Sequence, residues 1–343
     1  MKRVEWIDTA KGICILLVVF NHICIYSGVL GESNNYIIQH SIYFLTSFRM
    51  PLYFFLSGLF FKTYGGGAPF VKKKVNKLLI PFLFFYIISA DLIPSLYYCL
   101  TDRTLYGINN LSLLRQLHDV CYDYCQTTNG PIWFLLCLFE VNILFCCISI
   151  ISKENMCFIY IQSVIFGIIG LFLSYFHILL PLTLSTSFTC LPFFAFGYFV
   201  KKSTNLLYSS MIDNYLIIIS IACALFLWVV ARHVVYYKNE FCNSSYFTAH
   251  ICGIIGTMMI FLLSKYIGTK PFVTFYGKYS LITLCTHYPL FVLFDNFLFC
   301  HMQLFGWYKV LAAFLLIILT ELMLIPLMIK YLPYVTAQKD LLK

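Results

Sequence analysis

The first apolar segment of the chain carries charged and titratable side chains, among them Asp8, Lys11, Asn21 and His22. Lys11 and His22 are separated by about three helical turns, so they lie on one face, about 16 Å apart along the axis. Asp8 is one turn before Lys11 and joins that face. A neutral imidazole can accept a proton from a hydroxyl near neutral pH, which makes His22 a candidate general base. The alternative is a histidine packed between helices and hydrogen-bonded to a carbonyl.

The second apolar segment contains Arg49 and, two turns later, the pair Ser57-Gly58. An arginine within a membrane span needs an acidic or oxygen-rich partner, and Asp8 is a candidate. Either Arg49 takes part in chemistry, or it forms a buried ion pair that only fixes helix packing. Ser57-Gly58 indicates a close contact between helices or, alternatively, part of the wall of a ligand channel.

A cluster of lysines, Lys72, Lys73, Lys74 and Lys77, comes directly before the third apolar segment. Such a cluster commonly marks the cytoplasmic side of a membrane protein or contacts lipid headgroups. The other interpretation is a phosphate-binding site, because lysine binds phosphate as a point charge. Lys74 and Lys77 are three residues apart, so on an α-helix they share a face.

The composition indicates which elements position these residues. Of 343 residues, 61% are hydrophobic and 11% are charged, whereas soluble proteins have roughly 45–50% apolar and about 25% charged residues. This excludes a disordered chain, a nucleic-acid-binding module and an ordinary cytosolic enzyme. At about 20 residues per span, we predict about ten transmembrane helices. The windows are 12–30, 41–61, 79–99, 131–151, 156–176, 186–200, 213–231, 247–264, 279–299 and 309–330.

The distribution of charge predicts the orientation. The net charge is +9, and most Lys and Arg residues fall on one side of the predicted helices, which puts both termini in the cytoplasm. We therefore predict an all-α polytopic membrane protein in which residues 1–343 form one bundled domain. Most of the 15 Cys lie in apolar runs without ligand spacing, so we predict neither a metal site nor a disulfide framework.

Four blocks of sequence occur in order along nearly the whole chain. They are residues 6–12 through His22, residues 48–58 followed by Lys74 and Lys77, residues 130–135, and residues 276–290. Together they resemble the acyltransferase-3 family of integral membrane acyltransferases, particularly its fucose 4-O-acetylase-like and exopolysaccharide O-acetyltransferase branch. Many relatives have Arg where this chain has Lys11, Lys74 and Lys77, so the charge is kept but the bidentate fork is lost.

The resemblance implies transfer of an acyl group, usually acetyl, from acyl-coenzyme A to a hydroxyl of a cell-surface glycan or its lipid-linked precursor. It also implies a location in the bacterial cytoplasmic membrane, and it makes His22 the essential residue. We expect acetyl-CoA as co-substrate, no metal, contact with membrane lipids and no nucleic-acid partner. The expected catalytic residues are His22, Lys11, Asp8 and Arg49, the expected acyl-CoA-binding residues are Lys73, Lys74, Lys77 and Ser57, and the expected acceptor-binding residues are Asn21, Trp133, Glu140 and His287.

In the expected mechanism the lysines hold the coenzyme A phosphates, and His22 takes the proton from a sugar hydroxyl as the hydroxyl attacks the thioester. Arg49 or Asn21 would stabilise the oxyanion. A covalent acyl-histidine intermediate is the alternative route. The alternative function is a transporter or flippase for a lipid-linked sugar. That function predicts internal repeats or broken helices, and the sequence indicates neither.

Overall fold

The structure of the protein is a computed structural model that describes residues 4–29, 36–105, 111–204, 213–231, 238, 246–302, 304 and 306–342. Helices are its regular secondary structure, and no strand occurs in these ranges. Position 30 of the first predicted window and positions 106–110 of the connection after the third lie outside the described residues.

The helices of the described ranges follow one another along the chain. They are α1 (Glu5–Tyr26), α2 (Tyr36–Leu59), α3 (Gly67–Thr101), α4 (Leu113–Cys121), α5 (Trp133–Ile151), α6 (Met156–Tyr175), α7 (Leu184–Ser203), α8 (Asp213–Val230), α9 (Tyr246–Ile267), α10 (Pro271–Lys278), α11 (Ser280–Met302) and α12 (Gly306–Tyr331). Two of them contain π-helical segments, at Val75–Leu79 and Ile88–Leu92 in α3 and at Asp295–Phe299 in α11.

Each of the predicted apolar windows coincides with one of these helices. In the described ranges, seven helices are long and apolar enough to cross a membrane, namely α1, α3, α5, α6, α9, α11 and α12. Helix α8 contains a shorter apolar stretch, Tyr215–Val230. Helices α2 and α7 have 24 and 20 residues, so they are long enough to cross a membrane. They are less apolar than the seven helices named above. The protein is therefore a helical membrane protein, while the count of ten spans and the side of each terminus stay predictions.

Helices α1 and α10 cross with their backbones almost in contact. A Cβ atom at Gly12 would lie 2.0 Å from the carbonyl oxygen of Val273, and one at Gly277 would lie 1.7 Å from that of Asp8. Only glycine fits at these two positions, because any side chain would overlap the neighbouring backbone. Helix α11 follows α10 directly, so this crossing sets how α11 lies against α1.

A second close crossing joins α2 to α7. A Cβ atom at Gly58 would lie 1.9 Å from the carbonyl oxygen of Phe194, and one at Gly197 would lie 1.9 Å from that of Phe55. The close helix contact predicted at Ser57-Gly58 is therefore confirmed. It holds one side of α2 against α7 and leaves another side of α2 toward α1.

The described part of the connection between α3 and α5 contains the short helix α4 and a compact loop. Neither was predicted from the sequence. The buried carboxylate of Asp119 accepts hydrogen bonds from the hydroxyl of Tyr86 and the amide of Thr127, both at 3.0 Å. These bonds tie the loop to α3. The loop ends in a 3₁₀ turn, Gly130–Ile132, that leads into α5.

We expect Gly12→Ala to destabilise the bundle, because the added methyl group would overlap the carbonyl of Val273. Overpacking of this kind costs about 1–3 kcal/mol, so the thermal unfolding midpoint in detergent should fall by several degrees. The matched control is Gly67→Ala, whose methyl group would make an ordinary contact at 3.6 Å with Ile150. Equal midpoints for the two variants would contradict the close crossing.

Candidate active site

Two cavities lie end to end beside α1 and α2. The first, the lysine cavity, has a volume of about 360 Å³. Its polar and charged wall residues are Lys11, Tyr53, Ser57, Tyr64, Lys74 and Ser280. The second, the histidine cavity, has a volume of about 390 Å³. Its polar and aromatic wall residues are Asn21, His22, Tyr26, Tyr43, Thr46, Arg49, Gln126 and Trp133.

The two cavities follow each other along the helices. On α1 the wall passes from Lys11 in the lysine cavity, through Val18 in both, to His22 in the histidine cavity. On α2 it passes in the opposite chain direction, from Ser57 to Arg49. The lysines and the histidine therefore line two adjoining cavities, which share the wall residues Val18, Met50 and Leu284.

His22 pairs with a second histidine from α11. Its Nδ1 lies 2.9 Å from Nε2 of His287, and the two rings are parallel within 6°. Nδ1 of His287 lies 2.7 Å from the backbone carbonyl oxygen of Thr283. His287 is buried and is not on the wall of either cavity. It lies behind His22, and this location does not suit the acceptor-binding role predicted for it.

These contacts determine where the protons of the neutral pair lie. The carbonyl of Thr283 can only accept, so Nδ1 of His287 carries the hydrogen and its Nε2 is an acceptor. His22 therefore donates from Nδ1 to His287, and Nε2 of His22 keeps its lone pair. Nε2 makes no hydrogen bond to a described residue, and His22 lines the histidine cavity. The arrangement is typical of a general base held by a second group.

Arg49 is the cationic side chain beside His22 on the wall of the histidine cavity. It is buried, and its Nη1 donates to the backbone carbonyl of Leu17 at 3.1 Å. Its Nε is buried and has no hydrogen-bond partner among the described residues. Asp8 lies about 13 Å from Leu17 along α1, so the pairing of Asp8 with Arg49 that the sequence suggested is not formed. An arginine with spare donors at a cavity wall can stabilise negative charge.

The lysine cluster is divided between two surfaces. Lys74 lines the lysine cavity together with Lys11. Lys73 and Lys77 instead form ion pairs with Asp340 of the C-terminal segment, at 2.6 and 3.3 Å. The expected common face of Lys74 and Lys77 is absent because a π-helical segment begins at Val75, and a π turn breaks the three-residue repeat of an α-helix.

The C-terminal segment is fastened beside these lysines. Asn76, which is buried, accepts hydrogen bonds from the backbone amides of Leu341 and Leu342, both at 2.8 Å, and donates to the carbonyl of Leu342 at 3.0 Å. The hydrogen bond from Lys73, with the charge of Lys77, lowers the pKa of Asp340 below its ordinary value. The carboxylate is therefore ionised at neutral pH, and the ion pairs are lost only as the pH falls through that lowered pKa.

The remaining predicted residues fall into two groups. Asn21 and Trp133 line the histidine cavity, and Ser57 lines the lysine cavity, where its hydroxyl accepts from Asn142 at 3.2 Å. Glu140 lines neither cavity. Its buried carboxylate accepts from the Thr183 hydroxyl at 2.6 Å and from the Ser187 hydroxyl at 2.8 Å. Glu140 therefore fixes the start of α7 and does not meet the acceptor-binding prediction.

Four polar or aromatic wall residues of the histidine cavity were not predicted, namely Tyr26, Tyr43, Thr46 and Gln126. Tyr26 is one turn after His22, and Thr46 is one turn before Arg49, so helical spacing could have identified both. Gln126 comes from the loop after α4, and no spacing rule links that loop to α1.

The family model of acyltransferase-3, described as an acyltransferase domain, matches residues 4–326. The chain belongs to the acyltransferase-3 family. Membership supports a membrane acyltransferase, while the branch within the family stays a prediction. No curated protein and no solved structure matches the chain significantly.

We expect Asn76→Ala to release the C-terminal segment from α3. The two lost amide hydrogen bonds contribute about 2 kcal/mol together, so amide exchange at Leu341 and Leu342 should accelerate about 30-fold in hydrogen–deuterium exchange mass spectrometry. The control is Asp295→Asn, which removes the ion pair with Lys309 at 2.5 Å on α12 and leaves the segment unchanged. Unaltered exchange in Asn76→Ala would contradict the docking.

Proposed function

We propose that this membrane acyltransferase moves an acetyl group from acetyl-CoA to a hydroxyl of a cell-surface glycan or its lipid-linked precursor, with His22 as general base. The observation that carries the proposal is the free Nε2 of His22 on a cavity that adjoins a lysine-lined cavity. The lysine cavity suits an anionic carrier and the histidine cavity suits an alcohol.

The donor binds with its phosphates at the lysine end. Lys74 and Lys11 contribute positive charge there, and Tyr53 and Ser57 contribute hydroxyl groups farther along the wall. The distance from Lys11 to His22 along α1 is about 16 Å, which an extended pantetheine arm spans. Lys73 and Lys77 act differently in this proposal, because Asp340 already engages them.

The chemical step takes place beside His22. The acceptor hydroxyl gives its proton to Nε2 while its oxygen bonds to the thioester carbonyl carbon. Arg49 stabilises the oxyanion that forms. The carbon–sulfur bond then breaks, and the thiolate of coenzyme A takes the proton from His22. His287 accepts from Nδ1 of His22 throughout, so the imidazolium stays oriented.

The acceptor occupies the histidine cavity. Tyr26, Tyr43 and Trp133 offer aromatic faces, and Asn21 and Gln126 offer amide groups. Aromatic rings with a few polar groups are the usual lining of a site that orients a small polar ligand. A sugar ring bearing several hydroxyls fits this combination.

We expect His22→Ala to lower acetyl transfer by about 10²–10⁴-fold, the usual contribution of a general base. His287→Leu should also lose most transfer, whereas His287→Gln should recover part of it, because the glutamine carbonyl can accept from Nδ1 of His22. The measurement is the O-acetyl content of the host surface polysaccharide by NMR, at matched protein levels in the membrane.

The control for the histidine variants is His250→Ala. His250 is another half-buried histidine, with Nε2 3.0 Å from the carbonyl of Thr189, and it lines neither cavity. Its removal should leave acetylation unchanged. Wild-type acetylation in the His22→Ala strain would refute the catalytic assignment. Equal loss in His287→Leu and His287→Gln would refute the orienting role of His287.

We expect Lys74→Ala to weaken acetyl-CoA binding by about tenfold or more, because hydrogen bonds to charged groups are worth about 1.5–3 kcal/mol. Lys77→Ala removes the same charge from the other side of the helix and should have a much smaller effect. Titration of the purified protein with acetyl-CoA measures both dissociation constants. Equal weakening by the two variants would contradict donor binding in the lysine cavity.

A further inference from the structure

Three side chains lie at the junction of the two cavities and line both of them. They are Val18 from α1, Met50 from α2 and Leu284 from α11. All three are apolar, and Val18 and Leu284 are buried. The junction separates a compartment that contains two lysines from a compartment that contains a histidine and an arginine.

The position of the junction fixes what must cross it. On α1, Val18 lies seven residues beyond Lys11 and four before His22, about 10 Å and 6 Å along the axis. A carrier whose phosphates stay with the lysines must therefore pass its thioester end between these side chains to reach His22. Uncharged groups can pass an apolar junction, whereas phosphates and hydrated ions are excluded by the cost of losing their water.

We propose that Val18, Met50 and Leu284 form a selectivity gate that sets the length of the acyl group. This inference rests on the proposed function and names the residues that determine its donor specificity. An acetyl group adds little beyond the thioester carbonyl and passes the gate. Each further methylene must fit among three branched or flexible side chains, and a packed apolar wall discriminates by about 10–200-fold per methylene.

The gate also keeps the thioester apart from His22 until the gate opens. In the closed arrangement the acyl-bearing sulfur remains in the lysine cavity, and His22 remains in the other. Met50 is unbranched with several rotatable bonds, so it can move aside for the thioester and then return. It is followed by Pro51 within α2, and a proline there removes one backbone hydrogen bond of the helix.

The test compares donors of increasing acyl length. Membrane vesicles with wild-type protein, Val18→Ala or Met50→Ala receive acetyl-CoA, butanoyl-CoA or hexanoyl-CoA, and acyl transfer to the surface glycan is measured by mass spectrometry. We expect wild type to prefer acetyl and both variants to raise the butanoyl-to-acetyl ratio of kcat/KM about tenfold or more. Val18→Phe should block transfer while acetyl-CoA binding persists.

Each of two matched control variants enlarges a different cavity and leaves the three junction residues unchanged. Ile15→Ala widens the lysine cavity alone, and Ile25→Ala widens the histidine cavity alone. Neither should change the ratio. Met50→Leu nearly conserves the volume of the side chain and should keep the wild-type butanoyl-to-acetyl ratio. The elution profile of each variant in detergent shows whether it has folded.

The outcomes separate the two proposals. If wild type transfers acetyl but Val18→Ala and Met50→Ala leave the ratio unchanged, the gate is wrong and the proposed function stands. The gate is also wrong if the two controls change the ratio as much as the junction variants do. If wild type transfers no acyl group from any of the three donors, the proposed function fails and the gate fails with it.

Discussion

A single hydrogen bond between two histidines 265 positions apart orients the imidazole on which the proposed chemistry depends. It exists because the carbonyl of Thr283 fixes the proton of His287 on Nδ1. Nε2 of His287 must then accept the hydrogen bond from Nδ1 of His22. Nε2 of His22 is therefore the nitrogen of the pair that carries no hydrogen. A lone imidazole in a membrane protein is commonly a packing element. The chain of two rings and one carbonyl orients this imidazole, as the proposed role of His22 as general base requires.

The pair requires α1 and α11 to lie at a defined distance, and the glycine crossings supply it. Gly12 and Gly277 let α1 touch α10, and α11 continues from α10 into contact with His22. Gly58 and Gly197 hold α2 against α7. These contacts leave two adjoining cavities beside α1 and α2, one lined by Lys11 and the other by His22. In the proposed function, this arrangement separates the site of charge recognition from the site of proton transfer, in two adjoining cavities.

Much of the fold could be predicted from the sequence, since every apolar window coincides with a helix. Helical spacing also predicts that Lys11 and His22 share the face of α1 that lines the two cavities, and the four sequence blocks identify the family. Spacing could not predict the partner of His22, because His287 reaches it only through the crossing of α1 and α10. The division of Lys74 from Lys77 depends on a π segment, for which the sequence gives no simple signal. Glu140 is a carboxylate within an apolar segment, which suggested a functional role. Its carboxylate instead accepts hydrogen bonds from the hydroxyls of Thr183 and Ser187 at the start of α7.

The most direct test of the central claim is the protonation state of the two rings. Solid-state ¹⁵N NMR of histidine-labelled protein in lipid bilayers distinguishes protonated from unprotonated ring nitrogens, and the His22→Ala and His287→Gln variants assign the signals. At neutral pH we predict both rings neutral, with hydrogen on Nδ1 of each and an unprotonated Nε2 on His22. A His22 ring with hydrogen on Nε2 and a bare Nδ1 would contradict its assignment as the base.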